Sequence, residues 1–258
     1  LVDEAKAFID SHERVGDPWL VWMGFHAPHS PFHNPPTKLL QRRNAPAGDK
    51  RQYVRMLEAM DTEMGRLHES VDESRTNIII IGDNGSPGQT VQPPYGIADS
   101  NGVTPPSSRT KGSLYEGGTH VPLIIKGPAV TTSSITSDAL VNSADLYSTI
   151  LEMAGYSVPA NAGQDSYSLM PILQGVSDPV DRVAHSEIFN DETADVNDGR
   201  SLRLSGTYSN YKLIAKGNPN DRFDDPSYEF YDLSADPNEA SNLTPNGTGA
   251  NALDDARG

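Results

Sequence analysis

The stretch Asn77-Ile78-Ile79-Ile80-Ile81-Gly82-Asp83-Asn84-Gly85 decides the fold class of this chain. Its run of isoleucines predicts a short β-strand that is buried on both faces, because β-branched residues favour strands and an exposed face would show polar alternation. In α/β proteins, ligands bind in the crevice at the carboxyl ends of such strands. Asp83 and Asn84 follow the strand there, and each offers an oxygen atom to a hard cation such as Ca²⁺ or Mg²⁺. Taken alone, Asp-Asn-Gly is also a good turn sequence.

Helices and strands alternate around this stretch. Val2 to His12 and Asp49 to Asp72 carry apolar residues at three- and four-residue steps, which predicts two amphipathic helices. The apolar run Trp19 to Phe25 predicts a second buried strand, and Val121 to Ile125 predicts a third. This order predicts an α/β fold with a mixed central sheet flanked by helices.

The last third of the chain changes character after a helix that we predict from Ser143, as N-cap, to Ala154, with Gly155 at the C′ position. Short strand-like runs separated by turn residues predict a small C-terminal antiparallel α+β subdomain; they are Arg182 to Phe189, Ser201 to Ser205, Tyr211 to Ala215 and Glu229 to Leu233. We therefore expect an α/β core at residues 1–180, the subdomain at 181–244 and a mobile tail at 245–258.

Composition excludes several classes of protein. The formal net charge of -15 argues against a nucleic-acid partner, because phosphate recognition requires a basic surface. The chain contains no cysteine, so no disulfide or thiolate metal site is expected within it. No run approaches the roughly 20 apolar residues that a membrane span needs, and we expect none. Leu1 to Asp10 shows no secretory signal pattern.

A second motif lies at the end of a long loop, Asp83 to Thr119. It reads Arg109-Thr110-Lys111-Gly112-Ser113-Leu114-Tyr115-Glu116-Gly117-Gly118-Thr119-His120-Val121-Pro122 and leads through an apolar strand into Lys126-Gly127-Pro128. Loops longer than about 15 residues inside a compact domain are usually functional or disordered. The combination resembles the sulfatase family, in which Asp-Asn-Gly after a strand is followed by Lys-Gly and then by Glu-Gly-Gly-x-Arg-Val-Pro.

The resemblance extends over nearly the whole chain. The family, part of the alkaline-phosphatase superfamily, has an upstream segment that resembles Gly24-Phe25-His26-Ala27-Pro28-His29-Ser30-Pro31. It also has a C-terminal signature, which resembles Tyr228-Glu229-Phe230-Tyr231-Asp232-Leu233 followed by Asp236-Pro237-Asn238-Glu239 and Asn242-Leu243. These motifs occur along this chain in the same order as in the family, which argues against a chance match. The resemblance implies an alkaline-phosphatase/sulfatase-like fold and a sulfuric-ester hydrolase.

The same resemblance assigns roles to residues of this chain. Asp83 and Asn84 match two ligands of a divalent cation, usually Ca²⁺, with Mg²⁺ less favoured. Lys111 matches the lysine that binds a sulfate oxygen, a role that suits a compact cation. His29 matches the histidine beside the bridging oxygen, where an imidazolium could assist the leaving alcohol. Lys111 and His29 are therefore the candidate catalytic and substrate-binding residues.

Two departures from the family pattern stand out. His120 occupies the position where the family commonly has arginine, and its role stays unassigned. The formylglycine motif, Cys or Ser followed by x-Pro-x-Arg, is absent; Thr104 to Arg109 has a similar composition but the wrong spacing. By resemblance, the nucleophile and an acidic pair of metal ligands are expected on an N-terminal portion of the enzyme, encoded upstream or supplied as a partner chain.

The implied reaction is attack on sulfur by a hydroxyl of the formylglycine hydrate, with the cation and Lys111 at the sulfate oxygens and His29 at the leaving alcohol. The expected substrate is a sulfated small molecule or carbohydrate, and the family favours a periplasmic or secreted location. Alternatives are a phosphodiesterase or phosphonate hydrolase of the same superfamily, a non-catalytic sulfated-glycan-binding remnant, or a fragment of a normal enzyme. A zinc pair of His26 and His29 is disfavoured, because Pro28 breaks a helix that would align them.

Overall fold

The structure, a computed structural model, divides into two compact units, residues 1–76 and 77–258. It describes residues 1–41, 48–90, 109–132, 136–176, 182–188, 199–203, 210–216 and 228–244. No helix in these ranges combines the length and the apolar character that crossing a bilayer requires. The predicted tail at 245–258 lies outside the described residues, and the predicted boundary near residue 180 stays a prediction.

The first unit contains a helical pair. Its helices are α1 (Val2–Glu13) and α2 (Asp49–His68), with a 3₁₀ turn at Thr37–Leu39 between them. The periodic apolar positions Val2, Ile9, Met56 and Ala59 are buried. The Lys6 ammonium donates to the Arg66 carbonyl oxygen at 3.1 Å. Both predicted helices are therefore confirmed, and a polar contact ties α1 to α2.

The strand predicted at Trp19 to Phe25 is wrong. No described β-ladder includes this segment, and its side chains are far from uniformly buried: Leu20 is 67% exposed and Trp22 is 75% exposed. An apolar run indicates only that a segment suits a strand, whereas a strand forms where a neighbouring backbone supplies hydrogen bonds. That neighbour is absent from the described ladders.

The second unit begins with a two-stranded antiparallel sheet. Strand β1 (Ile78–Ile81) pairs with β2 (Leu123–Lys126), so that Ile79 lies opposite Ile125. Both strands were predicted, but the predicted burial of β1 on both faces is wrong, because Ile80 is 36% exposed and β2 is the one neighbour of β1 among the described strands. The pairing brings the two ends of the long loop together, because the Gly82 N–H donates to the Pro122 carbonyl oxygen at 3.0 Å.

A four-stranded antiparallel sheet forms the rest of the core, and it confirms the strands predicted for this part. In order across the sheet they are β3 (Ala184–Ile188), β4 (Gly199–Arg203), β5 (Tyr211–Lys216) and β6 (Tyr228–Asp232). Neighbouring residues of a strand point to opposite faces. Ile214 and Tyr231 accordingly pack with Leu114 and Tyr115 on one face, while Leu213 and Phe230 pack on the other. The sheet therefore supports the segment that carries Lys111.

Three shorter helices complete the second unit: α3 (Glu116–Thr119), α4 (Asp145–Met153) and α5 (Met170–Leu173). The predicted N-cap at Ser143 is wrong, because the cap residue is Ala144 and makes no side-chain hydrogen bond. Instead, the buried carboxylate of Asp145, the first residue of the helix, accepts the Asn142 N–H at 2.9 Å. A helical residue, and not the cap residue, therefore makes the side-chain hydrogen bond at this end. Gly155 follows the helix with φ +79°, as predicted.

Candidate active site

Asp83 and Asn84 lie at the carboxyl end of β1, as the sequence predicted. Asp83 is exposed, and its Oδ1 accepts the Asn84 N–H at 3.0 Å, which shapes the turn. The carboxylate and carboxamide oxygens suit a hard cation. Within the described ranges, no group of three or more His, Asp or Glu side chains forms a fuller metal site. The pair therefore fits two ligands of a cation whose other ligands lie elsewhere.

Lys111 is held beside this turn by its backbone. Its N–H donates to the Ser86 carbonyl oxygen at 3.1 Å, and its side chain is exposed. A cleft of about 630 Å³ opens there; it is lined by Pro87, Gly88, Gln89, Thr110 and Lys111. The structure thus brings the predicted lysine to the loop that carries the predicted metal ligands.

Two glycines allow the Asp-Asn-Gly turn to pack directly on α3. The Gly85 N–H donates to the Gly118 carbonyl oxygen at 3.0 Å. A Cβ atom on Gly85 would lie 1.8 Å from the Gly117 carbonyl oxygen, and one on Gly118 would lie 2.2 Å from the Ser113 carbonyl oxygen. Neither position can carry a side chain, because backbone atoms occupy the space. The glycines of both motifs therefore hold the Asp83-Asn84-Gly85 turn against the segment that carries Lys111, which we call the lysine loop (residues 109–115).

Gly85→Ala is expected to force these segments apart and to lower the free energy of unfolding by about 1–3 kcal/mol, the usual cost of overpacking. Urea denaturation followed by circular dichroism measures this loss. Gly24→Ala is the matched control, since a Cβ atom there meets nothing within 4 Å. Equal stability of the two variants would contradict the close packing of Gly85.

A buried ion network fixes α3 to the four-stranded sheet. The Glu116 carboxylate lies 2.9 Å from the Lys212 ammonium, which also lies 3.2 Å from Glu239. Glu239 Oε2 in turn accepts the Glu116 N–H at 2.7 Å. Arg203 Nη1 approaches Glu116 at 3.4 Å, and His120 Nδ1 approaches it at 3.2 Å. His120, unassigned from the sequence, is thus an exposed partner of the buried Glu116 carboxylate.

The two carboxyl groups of this network differ in their pKa. Burial raises the pKa of Glu116, but the hydrogen bond from His120 and the positive charges of Lys212 and Arg203 outweigh burial and bring the pKa to about 2. Burial raises the pKa of Glu239, and the neighbouring Glu116 carboxylate adds to this effect against the attraction of Lys212. Glu116 is therefore the firmly ionised member, and the Lys212 ammonium holds both carboxyl groups.

His29 lies in the first unit, on the loop after residue 25. Its ring is exposed, and Nδ1 lies 2.7 Å from the Ser30 carbonyl oxygen. A carbonyl oxygen only accepts, so Nδ1 carries the proton and Nε2 is left for other partners. The His26 and His29 ring centroids lie 5.5 Å apart. An imidazole with one nitrogen fixed in this way presents a defined atom to a ligand.

Sequence reasoning placed three candidate residues in this part of the chain, whose roles stay predictions, and it missed the buried ion network beside them. Asp83, Asn84 and Lys111 lie on contacting segments of the second unit, as described. Lys212 and Glu239 were missed, although a lysine between strand residues as apolar as those of β5 signals a buried charge that must be paired. Residues 91–108 of the long loop between the two motifs lie outside the described residues.

A carboxylate and a carboxamide held beside a loop lysine suit a hydrolase of anionic esters, in which a hard cation and a lysine balance the negative charge. Comparison with protein families agrees with this class. The Sulfatase model matches residues 1–156, and the model of the N-sulphoglucosamine sulphohydrolase C-terminal region matches residues 109–254. This chain therefore belongs to the sulfatase family.

Curated relatives are longer than this chain. Arylsulfatase G of Mus musculus is 29% identical over 198 residues, which cover 73% of this chain and 35% of the relative. A sulfatase of Formosa agariphila is 26% identical over 279 aligned positions, which cover 98% of this chain and 47% of the relative. The chain thus spans about a third to a half of the curated relatives that it matches here.

Solved structures share the fold. The crystal structure of Ps i-CgsB matches with a TM-score of 0.75 at 21% identity, over 98% of this chain and 51% of that chain. The structure of BT4656, in complex with its substrate D-glucosamine-2-N,6-O-disulfate, matches with a TM-score of 0.61 at 24% identity, over 80% of this chain and 39% of that chain. These matches identify the alkaline-phosphatase/sulfatase-like α/β fold that the sequence predicted.

Proposed function

We propose that this chain supplies part of the metal and sulfate site of a sulfuric-ester hydrolase. The observation that carries the proposal is the packing of the Asp83-Asn84-Gly85 turn on the Glu116-Gly117-Gly118 turn, with Lys111 anchored to Ser86 beside them. Cation ligands and an anion-binding cation on contacting segments suit the negatively charged sulfate group of a sulfuric ester. Family membership favours sulfuric esters over the phosphodiester and phosphonate alternatives.

Lys111 binds a sulfate oxygen in this proposal. Its ammonium is exposed next to the cleft, and its backbone is fixed by the hydrogen bond to Ser86. Negative charge on the sulfate oxygens must be balanced as the ester bond to sulfur breaks. A preorganised cation stabilises that charge without changing its own protonation state.

His29 protonates the leaving alcohol in this proposal. Its Nδ1–H is held by the Ser30 carbonyl oxygen, so a proton on Nε2 is the one available for transfer to the bridging oxygen. A protonated leaving group departs as a neutral alcohol rather than as an alkoxide. The hydrogen bond to Ser30 also fixes the direction in which Nε2 points.

Asp83 and Asn84 would hold a divalent cation, which we propose to be Ca²⁺, through one carboxylate and one carboxamide oxygen. When bound, the ion supplies positive charge at the sulfate oxygens. The nucleophile, a formylglycine hydrate in this family, and the remaining acidic ligands come from a portion of the enzyme outside these residues. The substrate class that we propose is a sulfated small molecule or carbohydrate, supported by the sulfated glucosamine that BT4656 binds.

Lys111→Ala in the intact enzyme that contains this chain is expected to lower kcat/KM for an aryl sulfate about 10²- to 10³-fold, the usual cost of losing one preorganised charge contact. Metal content should stay unchanged, because Lys111 acts on sulfate oxygens. Sulfate release and elemental analysis of the purified protein measure the two quantities.

Lys38→Ala is the matched control, since Lys38 is exposed on the 3₁₀ turn. Its kcat/KM should equal that of the wild type. Wild-type rates in the Lys111 variant, or sulfate binding without any hydrolysis by the intact enzyme, would contradict the proposed function.

A further inference from the structure

Both ends of the segment that carries Lys111 are attached to strands β5 and β6. Tyr115 is buried on the sheet face that carries Ile214 and Tyr231. Arg109, at the other end, lies with its guanidinium carbon 4.5 Å from the centroid of the Tyr115 ring and 5.7 Å from that of Tyr231. Between these ends the Lys111 side chain is exposed. The lysine loop is therefore held against the sheet at both of its ends, by Arg109 and by Tyr115, and we call this double attachment the clamp.

Glu229 of β6 is the common partner in this clamp. Its Oε2 accepts the hydroxyl groups of Tyr115 at 2.6 Å and Tyr231 at 2.7 Å. Its Oε1 accepts the Lys216 ammonium at 2.6 Å. Lys216 also donates to the Tyr115 hydroxyl and lies 4.8 Å from the centroid of that ring. One carboxylate thus orients both aromatic rings on which Arg109 rests.

Charge at Glu229 is maintained by these partners. Burial raises the pKa of the Glu229 carboxyl, but hydrogen bonds from Lys216, Tyr115 and Tyr231 outweigh burial and keep the pKa below its usual value. The carboxylate is therefore ionised at neutral pH and accepts every hydrogen bond offered to it. Arg109 Nη2 donates to the Tyr231 hydroxyl at 3.5 Å, so that Glu229 is connected through Tyr231 to the start of the lysine loop.

We propose that Glu229 is a positioning residue for Lys111, acting through Tyr115 and Arg109. This inference rests on the proposed function of Lys111 as a sulfate-binding residue. A lysine side chain is long and flexible, so the position of its ammonium depends on how firmly the backbone beneath it is held. The clamp, together with the hydrogen bond from the Lys111 N–H to Ser86, fixes that backbone before the substrate binds.

Glu229→Gln tests the proposal, because it keeps the shape of the side chain but replaces one accepting oxygen with a donating NH₂ group. We expect hydrogen–deuterium exchange of the amides at residues 110–115 to rise about tenfold, while exchange in β3 and β4 stays unchanged. This measurement needs no enzymatic activity. Unchanged exchange at residues 110–115 would overturn the proposal.

A double-mutant cycle in the intact enzyme separates positioning from general structural damage. Glu229→Gln should lower kcat/KM about tenfold when Lys111 is present and less than about twofold in the Lys111→Ala background. The reason is that a displaced backbone misplaces the Lys111 ammonium, and the Lys111→Ala variant has no ammonium to misplace. Equal losses in both backgrounds would overturn the proposal. If the intact enzyme hydrolyses no sulfate ester, the proposed function fails, whereas the exchange measurement still decides whether Glu229 holds the loop.

Two further variants keep the test sound. Glu187→Gln is the matched control, since Glu187 is an exposed carboxylate of β3 with Arg200 at 3.0 Å; it should change neither exchange at residues 110–115 nor kcat/KM. Tyr115→Phe removes only the hydroxyl that binds Glu229 and leaves the ring beneath Arg109. It should raise exchange about threefold in the same amides, and an unchanged rate there would count against the clamp even if Glu229→Gln does not fold.

Discussion

Asp83→Ala in the intact enzyme is expected to abolish sulfate-ester turnover and to lower metal affinity at the same time. The Asp83 carboxylate lies exposed at the end of β1, where it provides the one negative charge of the proposed ligand pair. Losing a charged ligand removes the cation and all the charge it would supply, so the rate should fall by more than the roughly 10²- to 10³-fold typical of a single contact. Aryl-sulfate hydrolysis and elemental analysis measure both effects.

The comparison with the lysine variant makes this prediction specific. Asp83→Ala should lose metal and activity together, whereas Lys111→Ala should lose activity and keep metal. Asp138→Ala is the matched control, because Asp138 is an exposed aspartate of the same unit and should retain both. Full metal content in inactive Asp83→Ala protein would show that Asp83 acts in another way.

Lys212→Met is expected to lower the stability of the four-stranded sheet by about 3–5 kcal/mol, the usual cost of leaving a buried charge without its partner. Lys212 is 2% exposed and lies between Glu116 and Glu239, which are also buried. Methionine fills similar volume but leaves two carboxyl groups without their shared cation. Hydrogen exchange of the β5 and β6 amides under increasing denaturant measures the loss.

Two companion variants identify the cause. Lys126→Met, at an exposed position of β2, should cost less than about 1 kcal/mol, as is usual for exposed charges. Adding Glu239→Gln to Lys212→Met should restore part of the stability, since it removes one of the stranded carboxylates. A loss below about 1 kcal/mol for Lys212→Met, outside the range expected for a buried pair, would contradict the role of the network.

Local patterns in the sequence predicted the parts of the fold that depend on local physics. The three- and four-residue periodicity gave α1 and α2, and the isoleucine run gave β1. The Asp-Asn-Gly and Lys-Gly motifs predicted the groups that we propose carry the chemistry. These features depend on residues that are near one another in the chain, so a single sequence contains the information.

Features that depend on distant residues could not be predicted in the same way. Trp19 to Phe25 has the composition of a strand but no ladder partner among the described residues. The amide of Glu116 is bonded to a carboxylate 123 positions away, and its ion-pair partner Lys212 is 96 positions away. Nothing in the local sequence indicates which buried carboxylate pairs with which buried ammonium group.

The long-range bond between Glu239 and Glu116 bears on how members of this family can be recombined. Position 239 belongs to a C-terminal segment that would be a natural crossover point for exchanging sheets between two homologues. The Glu239 carboxylate accepts the N–H of Glu116 at the first turn of α3. A chimera that takes its C-terminal sheet from another homologue therefore also takes from it the carboxylate that holds the Glu-Gly-Gly turn. Successful chimeras should therefore inherit residues 109–120 and the segment through residue 239 from the same parent.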